Sequence, residues 1–236
     1  MDKVSILVVD DEKEIADLEE IYLVSDGYKV HKASSAKEGL DILEREDIKL
    51  ALLDIMMPGM DGLEMCEKIR QTKNIPIIML SAKSTDLDKI KGLGIGADDY
   101  VTKPFNPLEL TARVKSQLRR YMQLNASSSA AEPEESANEI HIRNMMINRE
   151  NHKVVIDGED IKLTPIEFDI LYLLASNPGK VFSTDEIFEK VWNERVYEAT
   201  NTVMVHIRRL RGKMKEDERE EKIISTVWGV GYKIEK

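Results

Sequence analysis

Five side chains stand at the ends of short apolar runs and have the types needed to handle a phosphoryl group. Asp10 and Asp11 follow Val4–Val9, Asp54 follows Leu50–Leu53, Ser81 follows Ile75–Leu80, and Lys103 follows Tyr100–Thr102. Three carboxylates brought together repel unless a cation sits among them, and hard oxygen donors of this kind suit Mg²⁺ with waters completing an octahedron. A carboxylate can itself attack phosphorus and carry an aspartyl-phosphate. The cation, a lysine ammonium and a hydroxyl then stabilise the three peripheral oxygens as charge moves. Each residue alone has an ordinary explanation as a solvated loop acid, a turn-forming serine or a surface Lys-Pro break. The joint occurrence of the whole set at strand ends points to chemistry.

A second set lies near the C-terminus. Across Thr200–Lys215, Val203, Ile207, Leu210 and Met214 recur at i, i+4, i+7 and i+11 and form an apolar stripe. Thr202, His206, Arg209 and Lys213 repeat that spacing one residue earlier, ~100° round the helix, with Val205 at the border. The spacing predicts an exposed strip carrying a hydroxyl, an imidazole and two cations, suited to phosphates and base edges in a DNA major groove. Arg209 is the candidate for guanine and Arg211, further round, for phosphate. The plainer alternative is a solvated basic helix.

The elements that must position these residues follow from periodicity. In the first 124 residues, β-type runs at Val4–Val9, Tyr28–Ala33, Leu50–Leu53, Ile75–Leu80 and Tyr100–Thr102 alternate with helical spacings. Those spacings are Ile15, Leu18, Tyr22; Leu40, Leu43; Met65, Cys66, Ile69; Leu87, Ile90; and Leu108, Ala112, Leu118. Five β-α repeats predict an α/β doubly wound, parallel five-stranded sheet, in which ligands bind at the carboxyl ends of strands. Asn125–Glu139 holds no large apolar residue and reads as a flexible linker. Residues 140–236 then offer short β runs (Ile140–Ile142, Val154–Ile156, Ile161–Leu163), three helical segments and a terminal hairpin around Gly229. Thr164-Pro165-Ile166-Glu167 and Ser183-Thr184-Asp185-Glu186 open the first two helices as capping boxes. That order is an α+β winged helix-turn-helix.

Composition bounds the rest. The chain of 236 residues has 34 basic and 44 acidic side chains, net −10, with 42% hydrophobic content, as in ordinary soluble proteins. The charge is segregated: Arg208, Arg209, Arg211, Lys213 and Lys215 cluster without an acid in residues 206–215, so the net acidity does not exclude nucleic acid. One Cys excludes a disulfide framework, and His31, His141, His152 and His206 lack metal-ligand spacing. No apolar run reaches the ~18 residues of a membrane span, and no signal peptide opens the chain, so a cytoplasmic protein is expected.

Ile6–Glu12, Leu53–Gly62, Ser81-Ala82 and Gly96–Phe105 closely resemble the receiver domain of two-component response regulators, over residues 3–122. The resemblance implies Asp54 as phosphoacceptor, with Asp10, Asp11, Asp54 and the Met56 carbonyl around Mg²⁺. It places Ser81 and Lys103 on the phosphoryl group and makes Tyr100 an aromatic switch turning inward with Ser81. Met56 and Lys83 fall where aspartyl-phosphate lifetime is tuned. Leu163–Phe168, Val205–Arg211 and Thr226–Tyr232 resemble the winged-helix output of OmpR/PhoB-type regulators, over 138–236. Asp10–Leu23 and Thr226–Lys236 look most like the vancomycin-resistance regulators within that family.

The family reading adds Thr226 and Trp228 of the wing to the DNA contacts. Two positions depart from the commoner pattern: Asn201 and Trp228 stand where Arg often occurs. Phosphorylation is expected to form a homodimer through Lys89, Ile90, Leu93, Asp98, Asp99, Glu109, Arg113 and Arg120. The implied partners are a sensor histidine kinase, double-stranded promoter DNA and RNA polymerase, with no membrane. Two alternatives compete. A phosphohydrolase using Asp54 would need a second carboxylate two residues on, where Met56 stands. A constitutive DNA-binding regulator with a phosphorylation-independent receiver would not need the intact Asp10, Asp11, Asp54, Ser81 and Lys103 set. The chain is expected to be a regulator and not an enzyme.

Overall fold

A computed structural model describes residues 3–82, 94–126, 139–192, 199–219 and 221–235. The chain divides into two compact units, Met1–Tyr121 and Met122–Lys236. In the first, β1 (Ser5–Val9), β2 (Lys29–Ala33), β3 (Ile48–Asp54), β4 (Ile77–Ser81) and β5 (Asp99–Thr102) form one parallel sheet in the order β2-β1-β3-β4-β5. Ile6–Val9, Leu50–Leu53 and Ile77–Leu80 are fully buried, as strands covered on both faces must be. The parallel register brings Asp54 opposite Leu80 and Ser81 opposite Thr102, so the carboxyl ends of β1, β3, β4 and β5 share one rim.

The helices α1 (Lys13–Ser25), α2 (Ala36–Arg45), α3 (Gly62–Thr72) and α4 (Pro107–Ala126) connect or follow these strands. Ser35 and Asp61 cap α2 and α3 by accepting from the Glu38 and Glu64 amides. Two helices are rotated from the expected phase. α1 buries Ala16, Glu19 and Leu23 and leaves Leu18 exposed; α4 buries Leu110, Val114 and Leu118 and leaves Leu108 exposed. Apolar side chains on the outer face misled the phase. The expected helix around Leu87 and Ile90 lies outside the described residues, as does most of the expected linker; α4 runs on to Ala126.

The second unit begins with an antiparallel sheet of β6 (Glu139–Ile142), β7 (Met145–Asn148), β8 (Lys153–Ile156) and β9 (Glu159–Asp160). Met145–Asn148 was not expected as a strand, and Ile161–Leu163 is not one. Three helices follow: α5 (Pro165–Ala175), α6 (Thr184–Trp192) and α7 (Ala199–Lys213). The hairpin of β10 (Ile224–Val227) and β11 (Gly231–Ile234) closes the unit. Ile166, Ile170, Leu171, Phe182, Ile187, Trp192, Val203, Ile207 and Leu210 make its core. Gly231 lies where a Cβ would be 1.9 Å from the Phe182 carbonyl oxygen, so only glycine lets the hairpin pair with that segment.

Candidate functional site

The rim of the first sheet gathers four of the five expected side chains in direct contact or close range. Asp10, Asp11 and Asp54 each offer an oxygen within 4.8 Å of the others. Around one Mg²⁺ at 2.0–2.1 Å, ligand oxygens stand about 3–4 Å apart, so small side-chain adjustments suffice. Asp10 and Asp54 are buried and Asp11 is exposed. Lys103 Nζ donates to Asp10 Oδ2 at 2.6 Å and lies 3.3 Å from Asp54 Oδ2. Asp54 Oδ1 is buried with no hydrogen-bond partner among the described residues. That orphaned oxygen beside two further carboxylates fits a site for a divalent cation and for an incoming electrophile.

The electrostatics agree. Burial pushes the Asp54 carboxyl above its ordinary range; Lys103 opposes this and Asp10 adds to it. Lys103 is also buried, but its carboxylate neighbours Asp10 and Asp54 outweigh desolvation and keep the ammonium charged. Gly62, at the start of α3, lies against the end of β3; a Cβ there would stand 2.1 Å from the Asp54 carbonyl oxygen. The loop that leaves Asp54 must therefore return onto it. Ser81 is fully buried and Tyr100 only 9% exposed. Met56 is exposed, and its amide donates to the Asp54 carboxylate.

The spacing overlooked Glu19. It lies on the buried face of α1, and neither carboxylate oxygen has a hydrogen-bond partner among the described residues. Burial, reinforced by the charge on Asp10, pushes its carboxyl up to about 8. The i, i+3, i+7 series Ala16, Glu19, Leu23 was the available signal.

The second set is arranged differently from its expected phase. Val203, Ile207, Leu210 and Met214 are buried as expected. The strip Thr202, His206, Arg209, Lys213 is not the outward one. His206 is fully buried, 5.5 Å from the Trp192 ring, and Val205 is buried. Arg209 and Lys213 turn to Glu167 at the start of α5, at 2.9 and 2.6 Å. The cause is that α7 packs against two helices, so two of its flanks are covered where one apolar stripe indicated one. The outward residues are Met204, Arg208, Gly212 and Lys215, which the spacing did not single out.

Arg211 needs a like correction. Its guanidinium donates to the Ile224 carbonyl and Thr226 Oγ1, both at 2.8 Å, pairs with Glu216 at 3.2 Å and lies over the Tyr232 ring. It ties α7 to the hairpin, which also engages Thr226. Trp228 is 90% exposed at the turn of the hairpin.

The expected dimer charges are also largely engaged within one chain. Asp98 is fully buried; it accepts from Arg70 at 2.6 Å and from the Ile77 amide at 2.9 Å, and cannot face a second chain. Asp99 pairs with Arg113, which also binds Glu109, each at 3.0 Å. Arg120 is buried. Lys89, Ile90 and Leu93 lie outside the described residues.

Comparison with known proteins covers both units. Residues 6–115 match the response regulator receiver domain family, and residues 158–234 match the family described as transcriptional regulatory protein, C terminal. The chain is 49% identical over 232 residues to the regulatory protein VanR of Enterococcus faecium, covering 98% of each. It is 48% identical to the regulatory protein VanRc of Enterococcus gallinarum, again over 98% of each. Among solved structures, a mutant of RitR matches with a TM-score of 0.74 at 28% identity, covering 99% of each chain.

Proposed function

The chain belongs to the OmpR/PhoB-type response regulators of two-component systems, and on that premise we propose that Asp54 takes a phosphoryl group from a sensor histidine kinase and thereby controls promoter binding. The observation that carries this reading is the buried Asp54, whose Oδ1 lacks a partner, between Asp10, Asp11 and Lys103. Asp54 Oδ1 attacks phosphorus; the new P–O bond forms as the P–N bond of the donor phosphohistidine breaks, and the imidazole takes up a proton. Asp10, Asp11, Asp54 and the Met56 carbonyl would hold Mg²⁺, which when bound supplies positive charge to the phosphoryl oxygens. Lys103, 2.6 Å from Asp10 and 3.3 Å from Asp54, is placed to give its ammonium to a second oxygen. The Ser81 hydroxyl, one strand away, serves a third, and Tyr100 on β5 is the residue that turns inward with it. The protein is modified in this step and turns over no outside substrate, so it is a cytoplasmic regulator and not an enzyme.

The phosphoryl group adds about −1.5 to −2 charge, enough to bias the rim and the adjoining face toward a homodimer. Of the described residues expected on that face, Glu109 and Arg113 on α4 are the accessible candidates; Asp98, Asp99 and Arg120 are buried. Output then rests on the winged helix. Arg208, exposed on the outer face of α7, presents its charge to phosphates, Arg209 reads a base from its position beside Glu167, and the exposed Trp228 lies on the sugar-phosphate backbone. RNA polymerase is the further partner at a promoter. The similarity to VanR makes antibiotic-resistance genes the first regulon to map.

Acetyl phosphate treatment followed by mass spectrometry tests the reading. Wild type should gain one phosphoryl group and Asp54→Asn none, because an amide is no nucleophile; Asp11→Ala should react much more slowly. Stable phosphorylation of Asp54→Asn would overturn the assignment. Genome-wide mapping of binding sites with wild type and Asp54→Asn then shows whether promoter occupancy depends on this residue.

A further inference from the structure

Glu167, the third residue of α5, is fully buried in the winged-helix unit. Its Oε2 accepts from the Thr164 amide at 2.8 Å and from Lys213 Nζ at 2.6 Å, while Oε1 faces Arg209 at 2.9 Å. Burial alone would raise this carboxyl; the charges of Arg209 and Lys213 overcome it and hold it below its ordinary value. Starting α5 requires only the bond to Thr164, and glutamine closes a capping box as well as glutamate. A buried carboxylate carries a large desolvation penalty that a cap does not call for. Both of its cationic partners come from α7, 42 and 46 residues away in the chain.

We infer that Glu167 is a positioning residue for DNA reading: it fixes Arg209 and Lys213, both still partly exposed, along one flank of α7, setting where their charges meet the duplex. The inference rests on the reading of α7 as the groove-facing helix. Oε1 accepts no hydrogen bond from the described residues, so it is the charge pair with a carboxylate fixed at the start of α5 that sets where the Arg209 guanidinium sits. Bidentate recognition of a base edge depends on that placement. The anion also neutralises part of the charge that would otherwise bind any phosphate, the sequence-independent share of affinity. Glu167 therefore raises discrimination while lowering affinity for arbitrary DNA.

The test uses the full chain and two duplexes: one recovered by wild type from a randomised library, and a scrambled duplex of equal composition. Binding is measured at several salt concentrations. Glu167→Gln, which keeps the cap and loses the charge, should steepen the salt slope on scrambled DNA by about 0.9–1.8, for one or two released cations. The recovered-to-scrambled affinity ratio should fall roughly tenfold, part of one bidentate contact. Glu167→Asp, which keeps the charge and moves it, should lower the ratio and leave the slope alone; it also answers the question if the glutamine variant does not fold. An unchanged ratio in both variants, or equal losses on both duplexes at constant slope, overturns the inference and indicates a purely structural carboxylate. A wild-type chain that enriches no sequence and shows no salt-dependent binding overturns the reading of α7 itself.

Discussion

Replacing Glu19 by glutamine should stabilise the first unit, and by an amount that grows with pH. The wild-type carboxyl is buried on α1 with both oxygens unpartnered, and its pKa rises from an ordinary 4.5 to about 8. The folded state therefore binds a proton that the unfolded state has already released between those two values. By linkage, wild-type stability is full below pH 4.5 and declines as pH rises through the folded value. Each unit of separation corresponds to 1.36 kcal/mol. The decline relative to a neutral side chain is thus about 1 kcal/mol near pH 5, about 3 kcal/mol near pH 7, and about 5 kcal/mol once pH exceeds the folded value.

Glutamine is neutral throughout and nearly isosteric, so the variant-minus-wild-type difference isolates this one titration. Urea unfolding of the full chain, followed by far-UV circular dichroism at several pH values, measures it. Both tryptophans, Trp192 and Trp228, belong to the second unit, so Trp fluorescence supplies an internal reference that should not shift. A difference that stays constant from about pH 5 to about pH 9 would refute the reasoning, because a side chain ionised in both states has nothing to lose.

Other expectations follow from the same geometry. Asp98→Ala removes the buried partner of Arg70 and the acceptor of the Ile77 amide, and should cost about 3–5 kcal/mol in the dichroism-detected unfolding of the first unit; a cost under about 1 kcal/mol would show that water replaces the carboxylate. Mg²⁺ added in weakly buffered solution should displace protons, increasingly so at acidic pH, because burial raises the Asp54 carboxyl and the metal requires its ionised form. Equal release from Asp54→Asn would place the titration elsewhere. Arg211→Met keeps the aliphatic stem but loses the bonds to Ile224 and Thr226, so hydrogen exchange at the β10–β11 hairpin amides should accelerate while α5 amides keep their protection; unchanged hairpin protection would show that the tie is dispensable.

The receiver fold and its rim were legible because the signals are local. A parallel strand is a short apolar run, and whatever follows it lies at the carboxyl edge, so Asp10, Asp54, Ser81 and Lys103 declare their location by position alone. What escaped depends on partners distant in sequence. The exposed phase of α7 could not be read from one apolar stripe, because Trp192 and Glu167 cover His206 and Arg209 from a second side. Asp98 looked like a surface acid until Arg70, 28 residues earlier, enclosed it. Glu19 and Leu18 mislead in opposite directions, since a helix wheel built on hydrophobicity expects the leucine inside and the glutamate outside. Buried charge is invisible to periodicity and visible only in three dimensions.

The anchoring of Arg211 has a consequence for attempts to transplant specificity between regulators. A graft of α7 alone would carry Arg209 and Arg211 into a host whose hairpin and first helix evolved with other counterparts. Thr226, Glu216 and Tyr232 hold one end of the arrangement and Glu167 the other, so these four positions must travel with the helix. A chimaera that swaps the helix without them would keep the side chains of α7 and lose the contacts that align them.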